Sequence, residues 1–201
     1  MILTPIPRDR LEEMLERFAG RLSEPEAAAA FAGIRATSPD RAAGAEAERH
    51  RQQALAIARG AGMAVHPDGT RCRFNWDGTA LDGSTEAYVI LHEVAHFVLA
   101  APERRRLPDF GVGPGPDTRD RNAAAAAAVL SPVEREEDEA QASLLGILWE
   151  AALGQPALAS FLDQNWLEGL ERSAAAHFTA VRARLRARGF VAAGQPVILG
   201  A

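Results

Sequence analysis

The stretch "EAYVILHEVAHFVLAA", residues 86–101, constrains this chain more than any other. Val89, Ile90, Leu91, Val94, Phe97, Val98 and Leu99 make it apolar nearly all round, the pattern of a helix buried on every side. Ser84 or Thr85 can cap its start, and Pro102 stops it. Inside that apolar surface sit His92, Glu93 and His96. Buried imidazoles and a carboxylate need partners, and a metal ion supplies them. Residues i and i+4 share a helical face, so His92 and His96 can aim two imidazoles at one ion while Glu93 points beside it. In this HExxH arrangement the glutamate acts as general base on a metal-bound water or supports the ligands from outside.

Two histidines leave a metal under-ligated, so a third ligand must come from another element, with a position left open for water or substrate. The acidic run "VEREEDEAQASLLG", residues 133–146, is its source. Glu139 is the expected ligand, because Ala142, Ser143 and Gly146 share its helical face and let that helix approach closely. Glu136 stands in reserve, and Glu134, Glu136, Glu137 and Asp138 otherwise read as a solvated acidic turn favoured by the helix dipole. His50, His66 and His177 read as structural, with His177 able to point back toward the site. Tyr88, one turn before His92, is a catalytic candidate whose hydroxyl can hold a metal-bound oxygen.

Composition narrows the chemistry. Cys72 is the only cysteine, so any metal rests on His, Asp or Glu. All 22 basic residues are arginine, which removes phosphate-loop lysines and Schiff bases. A net charge of −5 argues against a nucleic-acid partner held by a general field. No signal-peptide pattern opens the chain and no apolar run is long enough for a bilayer, so the expectation is a soluble cytoplasmic protein with no membrane partner.

Helical spacing predicts helices over 7–22 and 40–59, with a further one after a Ser23–Glu26 capping box. More follow over 133–153, 157–164 and 166–188. "MAVHPDGTRCRFNW", residues 63–76, reads as a hairpin turning at Pro67-Asp68-Gly69. Residues 102–132 read as a long loop serving as rim or lid. These elements predict a mainly helical α+β fold, with a small antiparallel β-sheet against the His92 helix, in one domain spanning 1–201. Residues 1–60 form a helical cover over one wall of the cleft, 61–156 the metal-site core, and 157–201 the C-terminal helices.

The stretch "HEVAHFVLAAPERRRLPDFGVGPGPDTRD" resembles the metal-binding core of the elongation factor P hydroxylases, through the HExxH residues, Arg104-Arg105, Asp109-Phe110-Gly111, and Pro116, Asp117, Arg119 and Asp120. The likeness runs loosely on through "GQP" to "WLEG", covering about 84–169. Val112–Gly115 stand where that family has an aromatic cluster. The resemblance implies a metalloprotease-like (zincin-like) core, a non-haem metal on two histidines and a glutamate, and oxygen-dependent hydroxylation of a protein side chain, with a translation factor as partner. It places the ligands at His92, His96 and Glu139. Asp109 can then accept the distal N–H of a liganding imidazole, and Arg104, Arg105, Asp117 and Arg119 can support the ligands or hold an acidic substrate group.

Three readings follow. The first is an iron(II) hydroxylase with a two-histidine, one-carboxylate site. The second is a gluzincin-like zinc peptidase in which Glu93 activates water. The third is a metal-stabilised module without turnover.

Overall fold

The computed structural model describes residues 7–167, 173–192 and 195–197. It is mainly helical. In chain order come α1 (Arg8–Ala19), α2 (Pro25–Arg35), α3 (Gly44–Gly60), β1 (Ala64–Val65), β2 (Ala80–Leu81) and α4 (Ala87–Leu99). Then come α5 (Arg121–Ala126), α6 (Pro132–Ala152), α7 (Ala157–Asp163), α8 (Ala174–Ala187), β3 (Val191–Ala192) and β4 (Gln195–Pro196). The expected 166–188 helix is α8 over its second part; Glu168–Arg172 lie outside the described residues, as does the Glu168-Gly169 end of "WLEG".

Two helices form the centre. α4 buries Val89, Ile90, Leu91, Val94, Ala95 and Leu99, and packs between α3 and α6. α6 starts where Ser131 and Glu134 close a capping box over Pro132, and from Ala142 to Glu150 it is buried without interruption. Each large apolar side chain withdrawn there contributes about 1.5–3 kcal/mol of burial. α4 and α6 touch closely because of Gly146: a Cβ there would lie 3.4 Å from both N and Cα of His92. Glycine inside a helix costs about 1 kcal/mol relative to alanine, and the close contact is what that cost secures. At the far end of α6, Phe18, Phe31, Phe161 and Phe178 pack edge-on or tilted, joining α1, α2, α7 and α8.

The small sheet differs from expectation. β1 pairs with β2 in parallel, Ala64 with Ala80 and Val65 with Leu81, and β1 packs on α3. Pro67-Asp68-Gly69 is no hairpin turn. The tight turn lies instead at Asp77–Ala80, closed by an antiparallel bridge from Trp76 to Leu81. Two features place it there. The Asp77 carboxylate accepts from the amides of Thr79 and Ala80 and from the Thr79 hydroxyl, and Gly78 takes φ 95° where a Cβ would fall 2.5 Å from the Arg106 carbonyl. The antiparallel pair that does exist, β3 with β4, lies beside α6.

Two caps also differ. α2 has no side-chain cap, and Glu26 accepts instead from Arg182 and Arg186 of α8. α4 begins at Glu86 uncapped, because Ser84 and Thr85 donate to Asp82. The 102–132 segment is a loop only in part: it contains 3-10 turns at Arg104–Arg106 and Pro108–Gly111, followed by α5.

Glu150 of α6 is buried, with Arg41 3.7 Å away. Burial pushes its carboxyl up to about 7, against the opposing effects of Ser160 and Arg41. A folded-state pKa above the unfolded value of 4.5 means that the native state holds the proton more tightly. Its contribution is therefore complete below pH 4.5 and is lost as pH rises through 7, amounting to roughly 3 kcal/mol. In urea denaturation, Glu150→Gln is expected to gain about that much relative to wild type between pH 4.5 and 8. Parallel stability curves for the two proteins would show that Glu150 does not titrate there.

Candidate metal centre

His92 and His96 leave adjacent turns of α4 on the face that meets α6, and Glu139 reaches them from α6. The two Nε2 atoms are 3.0 Å apart. The Glu139 carboxylate lies 3.3 Å from His92 Nε2 and 3.5 Å from His96 Nε2. For ligands about 2.0–2.1 Å from a common ion, right-angled to tetrahedral arrangements put donor atoms roughly 3.0–3.4 Å apart. The spacing and the donor types therefore fit a divalent transition metal. The three residues form a candidate metal-binding triad. Glu136 lines the same cavity without joining the cluster.

The carboxylate behind the ligands is not the expected one. His96 Nδ1–H donates to Asp138 at 2.9 Å, which fixes the tautomer and turns the Nε2 lone pair toward the triad. Asp138 was expected in a solvated turn, yet only 11% of its side chain is exposed. Arg104 holds it with two hydrogen bonds of 2.7 and 3.0 Å and donates from Nε to the Phe110 carbonyl. Burial raises the Asp138 pKa, but His96 and Arg104 outweigh it and hold the group at about 2. Burial likewise lowers His96, and Glu139 and Asp138 more than reverse this, taking the imidazole to about 10. Partial desolvation raises Glu139, but His96 and His92 outweigh it and hold the carboxyl below the usual carboxylate range. Without an ion, this cluster shares a proton that a cation would displace.

Asp109 stands elsewhere. It accepts the Thr118 hydroxyl at 2.6 Å, and burial raises its pKa against that bond. Asp109, Phe110 and Gly111 all take left-handed backbone, φ 43°, 55° and 67°. For the two non-glycine residues this costs on the order of 1–3 kcal/mol each. Packing holds the bend: Phe110 is fully buried, stacked on Trp76 and against the His96 ring, and the Asp109 amide donates to the Trp76 carbonyl. The bend carries Asp109 into the cavity and sets Phe110 against a candidate ligand.

Glu93 is 7% exposed and borders the same cavity, with Asn75 donating to its Oε1 at 3.1 Å. Burial raises its pKa, with both histidines opposing. Tyr88 lines the cavity, with the Arg41 guanidinium 3.7 Å from its ring centre. His177 also reaches the cavity, stacked on Trp166. Other candidates fall away from the centre. Arg105 caps the end of α4, donating to the Ala100 and Val98 carbonyls. Arg119 donates to the Cys72 carbonyl, and Asp117 is exposed at the cavity rim. His66 bonds Asp77, and His50 is buried in α3 with its pKa lowered by desolvation.

The cavity beside the triad holds about 480 Å³. Among the described residues, its lining takes nothing from residues 1–60; the wall facing α4 and α6 includes Trp166 and His177. α3 instead packs behind α4. Side-chain exposures of 23% for His92 and 45% for Glu139 leave the triad open to this space. Asp138, Asn75 and Thr118 were not anticipated. The Asp138-Glu139 pair, read together with Arg104-Arg105, was the one available signal for Asp138; nothing local marked Asn75 or Thr118.

No curated protein and no solved structure matches the chain, and no helix among the described residues is long and apolar enough to cross a membrane. Residues 85–145 match the family model for elongation factor P hydroxylase. The loose likeness beyond residue 145 falls outside that match. The matched segment contains His92, Glu93, His96, Arg104, Asp109, Asp138 and Glu139, so the part of this chain that builds the candidate metal centre is similar to the elongation factor P hydroxylase family.

Proposed function

We propose that this protein is a metal-dependent hydroxylase of the elongation factor P hydroxylase type, acting on a protein side chain at the His92, His96 and Glu139 centre. The observation that carries this reading is the convergence of those three donors on an open cavity within the family-matched segment. Two imidazoles and one carboxylate with open positions form the ligand set of non-haem iron(II) oxygenases. When bound, iron(II) supplies oxygen activation.

The protein's residues supply the rest. Asp138 and Arg104 fix the ring orientation of His96. The Asn75 amide holds the Glu93 carboxyl beside the centre, and Thr118 does the same for Asp109. The apolar surfaces of Val89, Val112 and Trp166 line the entering side chain's path. A volume near 480 Å³ accommodates one substrate side chain with its adjoining backbone. Tyr88 faces the same space and can orient that side chain.

A zinc hydrolase is the competing reading, and the buried Glu93 beside the histidines is what favours it. The protein purified without added metal is expected to contain iron and, with a reductant, to consume oxygen while elongation factor P gains the mass of one oxygen atom. Glu93→Gln separates the two chemistries: a hydroxylase that needs no general base there keeps its metal and turnover within about tenfold, whereas a hydrolase keeps its metal and loses peptide cleavage by at least about 100-fold. Peptide cleavage by the zinc form, abolished in this variant, would sink the hydroxylase reading.

A further inference from the structure

Beside the cavity lies a shallow groove lined by Arg71, Arg73, Arg119 and Arg121, with Asp120 and Asn122 between them. All four arginines are exposed. Arg119 and Arg121 donate to the carbonyls of Cys72 and Gly115 at 3.0 and 2.7 Å. Such contacts orient a guanidinium without neutralising it. Among the described residues only Arg73 of the four meets a carboxylate, that of Asp120. Asp82 and Asp77 also act on Cys72 in the groove floor, but Ser84 holds the first and Thr79 and Ala80 the second, so among the groove's lining residues four arginines face one aspartate and the exposed charge is positive on a chain of net charge −5.

The groove and the cavity share a wall. Gly115, Pro116, Asp117 and Thr118 line the cavity, and the next residues, Arg119–Asn122, line the groove. Arg121 ties the two by holding the Gly115 carbonyl. The groove is thus built on the segment that continues directly from the cavity rim.

We infer that this groove docks a cluster of carboxylates on the surface of the protein whose side chain enters the cavity. The inference rests on the reading of a protein substrate and names the surface that recognises it. Guanidinium groups pair with carboxylates two bonds at a time, giving geometric specificity as well as attraction. A nucleic-acid backbone fits less well. Continuing toward the cavity it would run onto Asp117, Glu136 and Glu139, whereas a folded protein can present acidic groups to the groove and a different surface to the cavity.

The test uses the full chain and two fluorescent probes, a twelve-residue Asp/Glu peptide and a twelve-nucleotide single-stranded RNA, followed by anisotropy at low and high salt. Wild type is expected to bind the acidic peptide about tenfold more tightly than Arg71→Glu/Arg73→Glu, and to lose that advantage in high salt. Arg71→Gln/Arg73→Gln, which removes charge without reversing it, should show a smaller loss. Equal affinity of wild type and both variants for the peptide overturns the proposal, as does tighter binding of the RNA. With elongation factor P as substrate, the charge-reversed variant should raise KM about tenfold and hold kcat within about twofold; unchanged KM overturns the proposal. If wild type does not act on elongation factor P at all, the substrate reading fails, while the peptide binding still decides the groove.

Discussion

Glu139→Gln is expected to lower the affinity for iron(II) and zinc by about 1000-fold and to abolish turnover, while Glu136→Gln keeps its metal. Loss of a group that only orients a ligand costs about 10- to 100-fold in affinity, and loss of a ligand should cost more. Glutamine preserves the shape and removes the charge, and the Glu139 side chain is 45% exposed, so the fold should tolerate the change. His96→Ala should lose the metal as well. Because His96 is 4% exposed, that variant also leaves a cavity, and its thermal melt must be read beside its metal content. Calorimetric titration under nitrogen and elemental analysis provide the measurement. Stoichiometric metal in Glu139→Gln would remove Glu139 from the centre and return Glu136 to consideration.

The second large effect lies one bond further out. Asp138→Asn is expected to weaken metal binding by about 10- to 100-fold while leaving all three ligands in place. The asparagine oxygen can still accept the His96 Nδ1–H, but the charge that makes the imidazole a stronger donor is gone. Asp138→Ala should also cost roughly 3 kcal/mol of stability, because Arg104 would remain largely buried with its carboxylate removed. Arg104→Ala attacks the same pair from the other side, so the double variant should cost much less than the sum of the single ones. Wild-type metal affinity in Asp138→Asn would reduce the His96–Asp138 bond to a structural contact. Urea denaturation of the four proteins in the double-mutant cycle then tests the pair itself.

The fold was legible where one element contains its own signal. The apolar circumference of α4 and the spacing of His92 and His96 are local properties. Gly146 was legible because small residues on one face of a helix imply a close neighbour. The sheet was misread because Pro67-Asp68-Gly69 and Asp77-Gly78 are similar turn signals a few residues apart. The Asp77 carboxylate's bonds to Thr79 and Ala80, the packing of Arg106 against Gly78 and the pairing of β1 with β2 distinguish them. Ser23 and Ser84 carried capping patterns that the structure does not use. In each case a side chain found a better partner elsewhere, Glu26 with α8 and Ser84 with Asp82.

By itself, the amino-acid order determined which side chains can share an ion from one helix, since the pitch of an α-helix places residues four apart on one face whatever surrounds them. It also determined that any further donor had to be a His, Asp or Glu from another element, because the chain has a single cysteine. Tertiary structure alone decided which carboxylate orients His96 and which stands in the cavity. Asp138 and Asp109 are 42 and 13 residues from that histidine. Their roles depend on how α6 crosses α4 and on a left-handed bend held by Phe110, which are long-range packing outcomes without a local signature.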